Sequence, residues 1–562
     1  MTVIVSCARG HNSSTTLMVD GEIIFYLEEE RLSRQKYDGA PLMGLMKVFD
    51  YVDHIDHLVV CHTHRNGPQL DWCGEDAYCG LVRKMGRKKF IFNLHNIDTN
   101  HHEMHGSAAF YNSGFKTAAC LVADGAGSFL RLDGCPDVAY EFETIFQAGY
   151  PCEFETVYKH MGTKAAVGMR DFDDNIFLTE YPGHTKMYEA VTQYCGFPAI
   201  EAGKLMGLAP YGKPNDELPS FFNEAGWGNR DLVVPTYPNA AQINVHRYPI
   251  LKEDVKHHAE GEYTQVQKDL AYKIQEQSSD RMCHLIEKAV ELTGEKNICI
   301  SGGYGLNCVA NYKYWERFPD LNIYCEPISH DGGTSIGGAY WVYNKLTENE
   351  VPKKQASVYY GPQYDPTTYE NDLEGCDVTD TTPDAVAALI REGNIVTILQ
   401  GRSEGGPRAL GNRSILFDPT IKDGKDHVNS VKHREWFRPF ACSIKKENVD
   451  EWFDLHGREE TPHMMYAVKC KEGVEEKIPS VIHVDGTCRI QTVTPEQNKN
   501  YYELIDAFDK IADVPILFNT SFNLGGDPLV ETIEDAIDTL KNSDIEYMYL
   551  PEIMKLVKVS NE

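Results

Sequence analysis

The alternation of apolar and polar positions lays out the opening of the chain. Residues 2–6 predict a strand, and a turn of small polar residues follows over 9–14. A second strand over 15–19 meets Asp20-Gly21, and residues 22–27 predict the returning third strand. Two apolar runs joined by Asp-Gly predict a hairpin, because Gly accepts the left-handed backbone that a tight turn demands. Strands and helices then alternate to about residue 345. The clearest pieces are a helix over 101–112, a strand over 117–123, a long amphipathic helix over 263–291 and a strand over 297–301. Residues 213–261 are irregular and rich in Pro, Asn and Gly, which predicts an insertion or a segment covering a substrate. Periodicity is lost again over 349–382, and the domain junction is placed near residue 355. A helix over 383–391, a strand over 394–400 and a dense run of glycines and arginines follow. The expected class is α/β with mixed α+β character, in two domains, 1–355 and 356–562.

Composition narrows the class. With 42% hydrophobic and 25% charged residues the chain is an ordinary globular protein. No stretch approaches the roughly 20 apolar residues that cross a bilayer, and no basic segment leads into an apolar run at the N-terminus. A cytoplasmic location is the expectation. The 16 cysteines are scattered, without a CxxC pair, which points to reduced thiols. A net charge of −30 argues against direct binding of nucleic acid or of an anionic membrane. A homodimer is expected only because two-fold assemblies are the commonest.

Two constellations carry chemistry. His101 and His105 stand four apart on a predicted helix, so both imidazoles project from one face. Asp124 ends an apolar strand beside a glycine-rich turn, and Asp331 has the same character in His330-Asp331-Gly332-Gly333. Such a mixed donor set suits iron, manganese or zinc, and spacing does not choose among them. A further Gly-rich turn over 301–307, with Gly302, Gly303 and Asn307, offers a close backbone approach to a nucleotide. It is neither GxGxxG nor a Walker loop.

The second constellation is cationic. Arg402, Arg408 and Arg413 lie among glycines, and Lys432, Arg434 and Arg438 follow in Lys432-His433-Arg434-Glu435-Trp436-Phe437-Arg438. Arg489 comes later, then Asn519 and Ser521 on alternate positions of a predicted strand end. Guanidinium forks bind phosphates in pairs of hydrogen bonds, so this excess of arginine in an acidic chain predicts a pocket for a triphosphate and a second phosphorylated substrate.

Taken in order, several longer motifs resemble those of the carbamoyltransferase family of tobramycin carbamoyltransferase, the nodulation-factor carbamoyltransferase and the cephem hydroxymethyl carbamoyltransferase. They are GHNSS at Gly10, EEERLSRQK at Glu28, HHEMH at His101, EAGKLMGLAPYG at Glu201, SGGYGLN at Ser301 and HDGGTSIGGA at His330. The second half adds EGGPRALGNRSIL at Glu404, KHREWFRPF at Lys432, HVDGTCRIQ at His483 and FNTSFN at Phe518. The resemblance implies a ribonuclease-H-like, actin-like ATPase (ASKHA) domain followed by a YrdC-like domain. It implies that ATP and carbamoyl phosphate give carbamoyl-adenylate in the second domain, and that the carbamoyl group then passes to a hydroxyl of a small-molecule acceptor in the first. On this basis His101, His105, Asp124 and Asp331 look like ligands of Fe2+, with Mg2+ accompanying ATP. His11 looks like the catalytic histidine and Lys36 a substrate-site lysine. Arg408, Lys432, Arg438, Arg489, Asn519 and Ser521 look like contacts of carbamoyl phosphate and ATP. Asn12 and Tyr304 depart from the family pattern, which leaves the acceptor open. A sugar or small-acid kinase of the same ATPase fold is the competing reading.

Overall fold

Every residue of the first strand, β1 (Val3–Ala8), is buried, because it lies at the centre of a five-stranded sheet with β2 (Ser14–Val19), β3 (Glu22–Glu28), β4 (His57–Cys61) and β5 (Asn93–Ile97) in the order β3-β2-β1-β4-β5. The first three strands form an antiparallel meander, and β4 and β5 add in parallel. The computed structural model describes residues 1–63, 71, 72, 75–85, 92–237, 240–369 and 372–559.

A second sheet repeats this plan. It is built from β6 (Thr117–Ala123), β7 (Ala139–Gly149), β8 (Glu153–Thr163), β9 (Met169–Asp173), β10 (Ile176–Thr179), β11 (Asn297–Ser301) and β12 (Asn322–Cys325), in the order β9-β10-β8-β7-β6-β11-β12. Here β6, β7 and β8 are the meander, while β11 and β12 add in parallel beside β6. The helices include α1 (His101–Ser113), α2 (His184–Tyr194), α3 (Gln265–Thr293) and α4 (Gly333–Thr347). Helices α1 and α4 approach closely because Gly337 has no side chain; a Cβ there would stand 1.9 Å from the Met104 carbonyl oxygen. The long helix α3 starts later than its periodicity suggests, since a capping box of Thr264 and Gln267 fixes its first turn. Residues 213–261 are less irregular than they read. They hold a strand pair, Val233–Pro235 with Ala241–Ile243, and a short helix, Pro249–Asp254; Leu232, Val233 and Leu251 are buried.

The chain divides into two compact units, Met1–Glu29 with Asp38–Ala356 and Glu30–Tyr37 with Ser357–Glu562. An unbroken first domain to residue 355 therefore needs correction at 30–37. Two arginines explain it: Arg31 donates to the Gly406 carbonyl at 2.8 Å, and Arg34 to those of Leu529 and Pro528 at 2.7 and 3.2 Å.

The second unit is built on one mixed sheet. Its strands are β13 (Asp377–Asp380), β14 (Val396–Leu399), β15 (Arg413–Phe417), β16 (Ala441–Lys445), β17 (Phe453–Asp454), β18 (Ala467–Cys470), β19 (Thr487–Val493), β20 (Ile516–Ser521), β21 (Tyr547–Leu550) and β22 (Lys555–Lys558). Their order is β13-β22-β21-β14-β15-β20-β16-β19-β18-β17. The register sets Arg489 of β19 and Asn519 of β20 on either side of Ala441 in β16. The described cysteines are free thiols. Among the described residues no helix is long and apolar enough to cross a membrane.

A candidate metal centre and a guanidinium pocket

The first turn of α1 delivers two imidazoles to one point. His105 Nε2 lies 3.1 Å from His101 Nε2, as i, i+4 spacing on a helix dictates. Asp124 arrives from the end of β6, where its N–H donates to the Phe142 carbonyl at 3.0 Å. Asp331 arrives from the turn before α4, with its carbonyl accepting from Thr334 Oγ1 at 2.6 Å. His101 Nε2 stands 3.5 Å from Asp124 and 3.6 Å from Asp331, and His105 Nε2 stands 3.6 Å from Asp331. One donor atom from each of the four lies within 4.8 Å of all the others. The neighbours turn away: His102 Nδ1 meets Thr144 Oγ1 at 2.8 Å, and Glu103 accepts from Trp341 Nε1 at 2.7 Å.

Electrostatics shows what this cluster needs. Burial alone would lower the His101 pKa, but Asp331 and Asp124 carry it up to about 10. Burial opposes charge on both Asp124 and Asp331, and Asp331 adds repulsion on Asp124, yet the imidazoles hold both below the usual carboxylate range. Two buried carboxylates at this distance demand positive charge, and the four donors converge on one point. The donor set therefore fits a divalent cation of the iron, manganese or zinc kind.

His11 sits at the open side of the cluster. Its Nε2 is 3.7 Å from Asp331 Oδ2, with the side chain 40% exposed, and Asp331 raises its pKa. Asn12 next to it takes a positive φ of 57°, a conformation Asn tolerates better than most residues. Lys36 lies outside this unit. It belongs to segment 30–37 of the second unit, where its charge acts on Lys432.

The glycine-rich turn is spent mainly on structure. Gly302 has φ 85°, and a Cβ on it would collide with the Ala123 carbonyl; Gly303 N–H donates to Asp124 Oδ1 at 3.3 Å. Asn307 is used internally: its Oδ1 caps Ala310 N at 3.1 Å, and its amide meets Gln275. Tyr304 is buried, with its hydroxyl 2.7 Å from Ser278 Oγ.

In the second unit, cations gather at the end of the β16–β20 ladder. Lys432 is buried, and its Nζ donates to the Ser521 carbonyl and to Asn523 Oδ1, the latter at 3.1 Å. Burial, then Arg434, Arg438 and Lys36, push Lys432 well below the ordinary lysine value. Burial, Arg438 and Arg489 do the same to Arg434, which lies 4.9 Å over the Phe440 ring. Arg434 is thus the centre of the cluster, and it is a member of the cationic constellation to which the family resemblance gives no role. Ser521 Oγ donates to Asn523 Oδ1 at 2.6 Å.

Not every arginine of the Gly/Arg run takes part. Arg402 donates to the Gly361 and Tyr360 carbonyls at 2.6 and 2.7 Å. Arg413 is fully buried and donates to the carbonyls of Gln400, Gly401 and Glu531. Between them the chain wraps around Glu404, whose Oε1 accepts from the N–H groups of Leu410, Asn412 and Arg413 at 2.6, 2.9 and 3.2 Å. Side-chain amides fix the carbonyls of the same loop: Asn519 on Ala409, Gln491 on Leu410 and Gln400 on Gly411. Arg408 belongs to this loop and is half-buried. Asn519 Oδ1 is buried with no hydrogen-bond partner among the described residues.

Residues 72–340 match the family model described as carbamoyltransferase N-terminus, and residues 387–556 match the one described as carbamoyltransferase C-terminus. The nodulation protein NolNO of Sinorhizobium fredii is 30% identical over 95% of this chain and 77% of its own length. The nodulation protein NolO of Bradyrhizobium diazoefficiens is 32% identical over 80% of this chain and 77% of its own length. The 3'-hydroxymethylcephem-O-carbamoyltransferase of Streptomyces clavuligerus is 29% identical over 62% of this chain and 63% of its own length.

Proposed function

The chain belongs to the carbamoyltransferase family and is an enzyme that transfers carbamoyl groups, and from that premise we propose that it does so in two ATP-dependent stages onto a hydroxyl of a small molecule. The second unit, read as YrdC-like, forms carbamoyl-adenylate; the first, read as an actin-like ATPase fold from its two sheets of common plan, carries out the transfer. The observation that carries the reading is the placing of Lys432 and Arg434 against Arg438 and Arg489, where burial and the neighbouring cations disfavour the charge of the first two unless an anion joins them. A polyphosphate supplies that charge.

Water takes the phosphoryl group of carbamoyl phosphate, and phosphate and carbamate are released into the pocket. A carbamate oxygen bonds the α-phosphorus of ATP, the bond to pyrophosphate breaks, and carbamoyl-adenylate results. In this stage Arg434 and its neighbours bind and neutralise phosphate oxygens, and Asn519 offers its unpartnered oxygen to a donor such as the carbamoyl N–H. In the first unit the acceptor oxygen attacks the carbamoyl carbon, and AMP leaves. His11, beside Asp331 and open to solvent, receives the proton of the acceptor hydroxyl. His101, His105, Asp124 and Asp331 would hold a divalent cation, which supplies Lewis-acid charge when bound. The cephem relative, named for O-carbamoyl transfer to a hydroxymethyl group, supports a small hydroxylated acceptor.

Pyrophosphate release requiring both ATP and carbamoyl phosphate, and lost in Arg408→Ala, is the expected result. Formation of ADP without pyrophosphate would instead establish a kinase.

A further inference from the structure

Helix α2 places a buried ion pair beside the imidazole–carboxylate cluster. Lys186 is fully buried, and its Nζ lies 2.7 Å from Glu189 Oε2, one turn further along the helix. The other oxygen, Glu189 Oε1, fills the space where a Cβ on Gly125 would stand, and Lys186 Nζ is 3.8 Å from that same point. Gly125 directly follows Asp124. The adjacent Thr185 hydroxyl donates to the Asp124 carbonyl, so the first turn of α2 is tied to the cluster. Asp124 and His11 are both near enough to act on the Glu189 charge. From the other side Tyr237 closes over Lys186 at 5.9 Å and stacks on Tyr140 at 4.3 Å.

The two partners differ in access. Lys186 is sealed, whereas the Glu189 side chain keeps 16% of its surface exposed. A buried ion pair is a costly choice where an apolar pair would pack as well, so its position at the edge of the transfer site asks for a reason. A carboxylate only accepts hydrogen bonds. With Oε2 held by Lys186, the remaining acceptor capacity lies on Oε1, on the side of Asp124 and His11. The pair is neutral overall, so it rewards a full charge of either sign little and suits a neutral hydrogen-bond donor.

We propose that Glu189, held by Lys186, selects the acceptor by taking a hydrogen bond from a second hydroxyl beside the one that is carbamoylated. The acceptor is then a neutral vicinal diol of the sugar or cyclitol kind. This inference rests on the carbamoyl-transfer reading and gives its acceptor a chemical class.

The test gives the full chain ATP, isotope-labelled carbamoyl phosphate and an equimolar mixture of myo-inositol, methyl glucoside, benzyl alcohol and glycerol 3-phosphate. Labelled products are quantified by mass spectrometry, with pyrophosphate followed in parallel. The labelled neutral polyols exceed the other two by about tenfold or more. Glu189→Gln lowers that preference by about tenfold, mainly through KM for the polyol, as loss of a binding contact does. The double variant Lys186→Met/Glu189→Gln shows the same loss without stranding a buried ammonium. Pyrophosphate release without polyol carbamoylation, or an unchanged preference in both variants, overturns this inference and leaves the proposed function standing. No pyrophosphate from the unaltered chain overturns both.

Discussion

The two units bury charge of opposite sign and settle the cost differently. In the first, the carboxylates of Asp124 and Asp331 are compensated on the spot by His101 and His105, which lie within 3.6 Å of Asp331. In the second, Lys432 and Arg434 are pressed together with Arg438 and Arg489, and both are driven well below their ordinary pKa values. A cluster with internal counter-charge can wait in a stable state for a cation. In the cationic cluster Glu435, 3.6 Å from Arg438, offsets only part of the charge, and the excess is relieved by an anion or by loss of protons. The first arrangement suits a resident ion, the second a substrate that comes and goes.

Breaking either side should leave a different signature. The largest effect is expected from Arg434→Ala, which removes the central guanidinium. Pyrophosphate release should fall by about 10²–10³-fold, the scale seen when a preorganised charge contact to a reacting group is deleted. Arg434→Lys should recover little, because an ammonium cannot reproduce the planar fork. A loss of less than about threefold would show that the cluster does not hold the triphosphate.

His101→Ala should abolish tight metal binding, measured by elemental analysis after dialysis, and carbamoyl transfer should fall with it. The i, i+4 pair supplies half of the donor set, and His105 alone leaves three donors on separate elements. Metal retained at the level of the unaltered chain would end the assignment of this cluster as a metal centre.

These two outcomes also mark what was legible in the sequence. His101, His105, Asp124 and Asp331 sit at a helix start, a strand end and a turn, positions that short-range patterning locates, and the fold brings them together. The opening meander was legible for the same reason, since Asp20-Gly21 fixes its turn. The roles within the arginine run were not. Arg402, Arg408 and Arg413 look alike in sequence, and only the path of the loop around Glu404 assigns Arg402 and Arg413 to backbone carbonyls. The same holds for Lys36, whose segment is drawn to the second unit by Arg31 and Arg34 across more than 370 positions. The β7–β8 pair escaped because its inward polar residues, Glu141 and Glu143, break the apolar alternation; both are buried, Glu141 by Lys159 at 2.6 Å and Glu143 by His160 and His184 at 2.6 and 2.9 Å.

A smaller effect sharpens the contrast from the substrate side. An anion entering the guanidinium pocket offsets the repulsion that holds Lys432 down, so its pKa should return toward the ordinary lysine value. Binding of inorganic pyrophosphate should then be accompanied by proton uptake. Calorimetric titrations in two buffers of different ionisation heat read this directly, and Lys432→Met should remove the uptake. Proton release on binding would contradict the picture of a like-charge cluster waiting for an anion.

Glu326 shows a third way of burying charge, and it provides the mildest test. The carboxyl is fully buried between the amide of Asn112 at 3.1 Å, the Tyr324 hydroxyl at 3.2 Å and the Ile328 N–H at 3.0 Å. Burial outweighs these donors and raises its pKa to about 7. Among the described residues no imidazole or ammonium hydrogen-bonds to it, so it resolves the cost by keeping its proton. A carboxyl whose folded pKa exceeds the unfolded value binds protons more tightly when folded. The stability it permits is therefore complete below about pH 4.5, declines as the pH rises through about 7, and is constant above that. Glu326→Gln should match the unaltered chain near pH 4.5 and exceed it at pH 8, by on the order of 2–3 kcal/mol in denaturant titrations that follow the first unit. The sign is the decisive part. If the glutamine variant were less stable at pH 8, the Glu326 carboxylate would be favourably ionised like those of Asp124 and Asp331, and its donors would outweigh its burial.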